Sequence, residues 1–158
     1  MSREIESTGA RVWVVLARAY EAMANYVEQR VAAEGLCLSD FEVLELLLHK
    51  GPMTMSAIGE KVLLANASMT SVIDRLDERG FVARKNDKKD RRVRMVELTT
   101  RGHAFISELY PRHVQDLESV MQILDKAERA QLRALLKKLG LAAQAAVPLS
   151  GTRSRPGG

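Results

Sequence analysis

Apolar side chains return every three or four residues along most of this chain, and the places where that rhythm stops divide it into elements. Over residues 4–34 they fall at Val12, Val15, Leu16, Ala19, Met23, Tyr26, Val27 and Val31, one face of a long helix that Gly35 stops. Ser39 reads as the next N-cap, with Glu42 completing a capping box. The helix behind it carries Phe41, Val43, Leu44, Leu46, Leu47 and Leu48, is expected to be almost wholly buried, and ends near Lys50 at Gly51-Pro52. Thr54 caps a third helix, from Met55 to about Leu63. A fourth runs from Ala65 to Arg79 and ends at Gly80, with Asn66 as its best cap. Its spacing turns Met69, Val72, Ile73 and Leu76 inward and leaves Ser68, Ser71, Asp74 and Arg75 on or near the outer side.

From Phe81 the pattern changes. Phe81 to Lys85 and Val93 to Leu98 carry β-branched and apolar residues on either side of Asn86 to Asp90, which predicts a two-stranded hairpin. Thr99 or Thr100 caps a fifth helix reaching about Leu124, in which Pro111 is expected to cause a kink or a break. Asp125-Lys126-Ala127-Glu128 predicts a capping box for a last helix with an apolar stripe at Leu132, Leu135, Leu136, Leu139, Ala142, Ala143 and Ala146. The fold class that follows is mainly α with a small β wing: a winged helix-turn-helix at residues 37–100, between an N-terminal helix (1–36) and C-terminal helices (101–147). Residues 148–158, rich in Gly, Ser, Pro and Arg, are expected to be a disordered tail. The terminal helices carry more apolar surface than the central unit can cover. A second copy of the chain covers it economically, so the terminal helices are expected to be dimerisation elements.

Charge sharpens this picture. Between Arg84 and Arg94 lie seven basic residues and two acidic ones, a net +5, whereas the whole 158-residue chain carries +4. The excess is local to the hairpin, beside a helix, where it suits a phosphate backbone. Aromatic content of 4% argues against a stacking platform for single strands. The reading is a protein that binds duplex DNA. The competing class, a winged helix used only for protein–protein contact, predicts a less cationic wing and an apolar outer helix face. No GxSxG, phosphate-binding Gly-rich loop or HExxH occurs, so an enzyme is not expected. His49, His103 and His113 lack ligand spacing and Cys37 is the single cysteine, so neither a metal nor another cofactor is expected. The polar start, MSREIESTG, carries no secretory signal, and no apolar run approaches a membrane span. A cytoplasmic protein is expected.

Two runs, LSDFEVLELLLHKGPMTMSAIGEKV and SMTSVIDRLDERGFVARKNDKKDRRVRMVELTTRG, resemble the MarR family of bacterial transcription regulators. The resemblance covers roughly residues 36–105 and is carried by Asp90-Arg91-Arg92 before the Leu98-Thr99-Thr100-Arg101-Gly102 run, and by Val72-Ile73-Asp74-Arg75-Leu76 leading to Glu78-Arg79-Gly80. It implies a homodimer reading a pseudo-palindromic operator, most often as a repressor. Asn66, Ser68, Thr70 and Ser71 then fall on the leading turns of the recognition helix, with Arg75 further along. Arg91 matches the wing-tip arginine that enters a minor groove. Lys88 and Lys89 are generic backbone contacts or else simply solvated, and Arg92, also a DNA-binding candidate, braces the wing with Asp90.

The resemblance further implies release of DNA by a small phenolic or other aromatic compound, or by an oxidant, acting near the junction of the DNA-binding and dimerisation regions. Trp13, Tyr20, Tyr26, His49 and Tyr110 are the candidates to line a ligand pocket, or else packing residues. Cys37 is the candidate redox residue, at a helix start that favours a thiolate, or else a small buried hydrophobe between Leu36 and Leu38.

Overall fold

The structure, a computed structural model, describes residues 8–62, 68–87, 90 and 92–146. Asn66, Lys88, Lys89 and Arg91, the tail at 148–158 and the first residues of the predicted N-terminal helix lie outside this set. The chain divides into two compact units, one up to Leu117 and one from Glu118.

In the first unit α1 spans Gly9–Ala32 and stops at a turn closed by Gly35, whose φ of 71° suits a residue without a Cβ. Only its last turns reach the core, through Val31 and Val27. Val12, Trp13, Val14, Val15 and Tyr20 stay exposed in the single chain.

Helix α2 spans Leu38–Lys50, ending where expected but starting before Ser39. Its N-cap is Cys37, whose backbone N–H donates to Asp40 Oδ2 at 3.4 Å, so the predicted Ser39–Glu42 box is displaced by two residues. Core packing decides the matter: Leu36 and Leu38 are both buried, and that fixes the chain's entry into the helix. Nor is α2 wholly buried. Phe41, Val43, Leu44 and Leu47 are, but Leu46 and Leu48 are only half-buried, and His49 and Lys50 are exposed.

Strand β1, Met53–Thr54, has no signature in the sequence, since two residues carry no periodicity. Thr54 also caps α3 (Met55–Lys61) by accepting from the Ala57 N–H at 3.2 Å, as its sequence suggests. Helix α4 spans Met69–Glu78. Ser68 holds its N-cap position, and the expected start at Ala65 with its cap at Asn66 lies outside the described residues. Its inner face is as predicted, Val72, Ile73 and Leu76 being fully buried.

Strands β2 (Val82–Asn86) and β3 (Arg94–Leu98) form the hairpin, with Arg84 opposite Val96 and Asn86 opposite Arg94. β1 pairs antiparallel with β3, Met53 opposite Val96, so the sheet has three strands in the order β1-β3-β2 and not two.

Helix α5, Thr100–Met121, runs through Pro111 without a break. The proline sits on the exposed face, where the carbonyl it frees can meet water and its ring presses on no neighbour in the core. The helix is seated at its start by Thr99, whose hydroxyl donates to Gly80 O at 2.6 Å and accepts from the Gly102 N–H at 3.0 Å. The core beneath holds Phe41, Leu44, Ile58, Ile73, Leu76 and Ile106, each at most 1% exposed, and each worth about 1.5–3 kcal/mol of burial. Phe81 stacks on Phe105 with centroids 4.5 Å apart.

The second unit carries α6, Lys126–Ala146. The predicted capping box is present: Asp125 N–H donates to Glu128 Oε2 at 2.8 Å, and Glu128 N–H to Asp125 Oδ1 at 2.9 Å. Arg129 Nε caps the preceding helix end through Met121 O at 3.0 Å and Leu124 O at 3.1 Å. Leu132, Leu135, Leu136, Leu139 and Leu141 are all exposed.

Two outcomes test this packing. A Cβ on Gly102 would come within 2.7 Å of the Phe81 carbonyl carbon, backbone that cannot yield. Gly102→Ala should therefore cost about 3 kcal/mol in urea denaturation. His113 is buried against Phe41, ring centroids 4.5 Å apart, and burial pushes its pKa below 6.5 despite smaller upward pulls from Glu45 and Asp116. The folded chain thus holds this proton less tightly than the unfolded one, so His113 lowers stability as pH falls through about 6.5 and has no effect well above it. His113→Gln should lose less stability than wild type between pH 8 and pH 5.5.

Candidate nucleic-acid interface

Helix α4 is anchored on one side and open on the other. With Val72, Ile73 and Leu76 in the core, the 3.6-residue repeat places Ser68, Thr70, Ser71, Asp74 and Arg75 at the surface, and all five are exposed. The outer face is thus short hydroxyls followed by charge, which lets a backbone or base edge approach closely.

Three arginines fix that helix to its surroundings, and each reaches a partner that sequence spacing does not suggest. Arg75 donates to Asp40 Oδ1 at 2.7 Å and contacts Cys37 Sγ at 3.2 Å. Its pKa is raised, chiefly by the hydrogen bond to Asp40 and against the opposing effect of burial. Asp40 is 4% exposed, so the pair joins the start of α2 to the middle of α4. Arg79 donates to Gly35 O at 2.6 Å and holds the end of α4 to the turn after α1. Arg84, on β2, pairs with Asp74 and, at 3.0 Å, with Asp77. The hydrogen bond to Asp74 is the largest cause of its raised pKa.

This revises the charge count of the hairpin. Arg84 is matched by Asp74 and Asp77 on α4, and Lys85 by Glu97 on the neighbouring strand. Both cations serve inside the winged unit. Arg92 and Arg94 are exposed. The turn is built by aspartates: Asp90 N–H donates to Asp87 Oδ1 at 3.1 Å and Arg92 N–H to Asp90 Oδ1 at 3.0 Å, so Asp90 braces Arg92 through the backbone.

The five ligand candidates do not all come together. Trp13 is 67% exposed. His49 and Tyr110 pack edge to face, centroids 4.7 Å apart. Tyr26 donates to Asp116 O at 3.2 Å. Tyr20 borders a cleft of about 220 Å³ whose lining includes Phe41, Glu42, Glu45 and His113, and His49 borders a second one shared with Glu42 and Glu45. Glu42, Glu45 and His113 escape a search of the sequence for aromatic rings because two are acidic and His113 lies far along the chain. Cys37 is half-buried, with Ser39 Oγ 3.2 Å from its sulfur. Among the described residues no cluster of three or more His, Cys, Asp or Glu could hold a metal, and no helix is long and apolar enough to cross a membrane.

Comparison with known proteins agrees with this geometry. The MarR family model matches residues 36–93. The HTH-type transcriptional regulator MhqR of Bacillus subtilis is 33% identical over 134 residues, 85% of this chain and 92% of that protein. A solved structure of BpsR from Bordetella bronchiseptica, described for regulation of its DNA binding by 6-hydroxynicotinic acid, is 30% identical with a TM-score of 0.72, covering 82% of this chain and 92% of its own. A variant of MarR from Escherichia coli, complexed with operator DNA, shares the fold at 23% identity, with a TM-score of 0.73 over 82% of this chain and 93% of its own. The chain belongs to the MarR family of winged-helix transcriptional regulators.

Proposed function

We propose that this chain is a homodimeric, sequence-specific repressor that reads a pseudo-palindromic duplex operator and releases it in response to a small aromatic ligand or an oxidant. One observation carries the reading. Helix α4 is pinned by Val72, Ile73 and Leu76, presents Ser68, Thr70 and Ser71 outward, and has a cationic ribbon clamped to its flank through Arg84. A short-hydroxyl face enters a major groove without steric conflict, and the ribbon follows the adjacent backbone.

In this reading residues 37–100 form the DNA-binding lobe, and the helices of 1–36 and 101–147 pair two copies, giving their exposed leucines, valines and Trp13 a partner. The two recognition helices then meet grooves about 34–36 Å apart. Asn66, Ser68, Thr70 and Ser71 contact the groove, Lys88, Lys89 and Arg92 the backbone, and Arg91 the minor groove. Arg75 contacts DNA with a guanidinium already oriented by Asp40. The description of BpsR, whose DNA binding responds to a small molecule, supports ligand control, and Tyr20 marks the cleft where it acts. Cys37 beside Arg75 offers the oxidant a route to the same helix. The response is binding without turnover, and it takes place in the cytoplasm, where the DNA is.

A salt titration of binding to the gene's own upstream DNA, wild type beside Arg91→Ala, tests this. Wild type should bind as a dimer with a steep negative slope of log K against log salt. The variant should bind more weakly and with a shallower slope, because each copy loses a cation held against the phosphates that flank the minor groove. Equal affinity and slope would remove Arg91 from the interface, and no preference over random DNA would remove that fragment as the operator.

A further inference from the structure

The outer face of α4 carries a charge of the wrong sign for attraction to DNA. Asp74 lies three residues past Ser71 and four past Thr70, so it continues their row along the helix. Its side chain is 51% exposed. A carboxylate in that position is repelled by phosphates and lowers affinity for every sequence alike.

Clamping the wing accounts for only part of what Asp74 does. It pairs with Arg84, yet Asp77 anchors the same guanidinium at 3.0 Å, so the ribbon does not depend on Asp74 alone. Arg75, the next residue, takes Asp40 as its partner and leaves Asp74 to Arg84. The Arg84 cation also offsets the repulsion between Asp74 and nearby phosphates, which makes the carboxylate tolerable on a groove-facing helix.

The chemistry of this row singles out one base. Ser68, Thr70 and Ser71 can donate or accept, so they tolerate any base edge, whereas a carboxylate only accepts. In the major groove guanine and thymine present acceptors, and adenine sets its N6 donor beside the N7 acceptor. Cytosine offers the N4 amino donor with no acceptor beside it. We infer that Asp74 is the specificity-determining residue of α4, accepting from the N4 amino group of a cytosine in each half-site while Arg84 offsets its charge. The inference rests on α4 being the helix that enters the major groove, and it names the side chain that selects the sequence there. The short hydroxyls ahead of Asp74 let the helix sit close enough for an aspartate to reach a base edge. Asp74 thus gives up affinity for all DNA and gains discrimination by rejecting bases that present an acceptor.

Selection of bound duplexes from a random-sequence library tests this, with wild type, Asp74→Asn and Asp77→Asn side by side. Affinities are then measured on the selected duplex and on one of random sequence. Wild type should select a pseudo-palindrome with a fixed cytosine in each half-site, and replacing that C·G pair should weaken it roughly fivefold per half-site. Asp74→Asn, whose amide both donates and accepts, should bind the random duplex several-fold more tightly than wild type and lose the cytosine preference. Asp77→Asn should keep that preference. A role confined to holding the wing predicts the opposite for Asp74→Asn, weaker binding of every duplex with the base preference intact, and that result would overturn the inference. A wild type that selects a pseudo-palindrome with no position sensitive to Asp74→Asn overturns the inference alone. A wild type that selects no sequence overturns the sequence-specific reading together with it.

Discussion

Asp40 is a carboxylate in the core region, 4% exposed, and such a group is tolerated only with a cation and hydrogen bonds to meet it. Its cation is Arg75, at 2.7 Å from α4, and its second partner is the backbone N–H that starts α2. One side chain therefore begins one helix and aims another. Removing Arg75 would leave the buried Asp40 charge without its cation, so α2 and α4 are coupled by more than the contact of their apolar faces. The cysteine at the same junction, with its sulfur 3.2 Å from Arg75, lies where a change in charge or size would be felt by both helices.

The same economy extends to the wing. Arg84 reaches across to Asp74 and Asp77, which makes β2 and α4 one rigid piece. The cost is that a cation counted toward DNA attraction is already spoken for. Further along the ribbon, beyond the packed base, Arg92 and Arg94 stay exposed. Rigidity at the root and free charge beyond it suit a reader that must hold its register while the ribbon follows a flexible backbone.

The cleft beside α2 stands close to this junction. Glu42 and Glu45 line it from the helix that Asp40 caps and ties to α4, and Phe41, just ahead of Glu42, reaches both the core and the cleft wall. A ligand that favours one arrangement of α1, α2 and α5 over another has a short physical route to the recognition helix, through Asp40 and Arg75. A preference for one arrangement is sufficient for regulation, and no chemistry on the ligand is required.

Periodicity and caps alone determined much of this protein. The inner face of α4, the hairpin, the Thr54 cap and the Asp125–Glu128 box are local patterns whose partners lie within a few residues, and all are found where the sequence places them. What failed locally failed for one reason: the deciding partner was distant. Leu36 and Leu38 seek the core and move the start of α2 to Cys37; β1 exists only because β3 passes beside it; Pro111 is harmless because the fold puts it on the outer face. The pairs Arg75–Asp40, Arg79–Gly35 and Arg84–Asp74, and the meeting of Tyr20 with Glu45 and His113, likewise join residues on different elements. Composition could count those charges, but only the tertiary structure decided which neutralise one another and which remain to face a ligand or DNA, because that depends on distance in space and not along the chain.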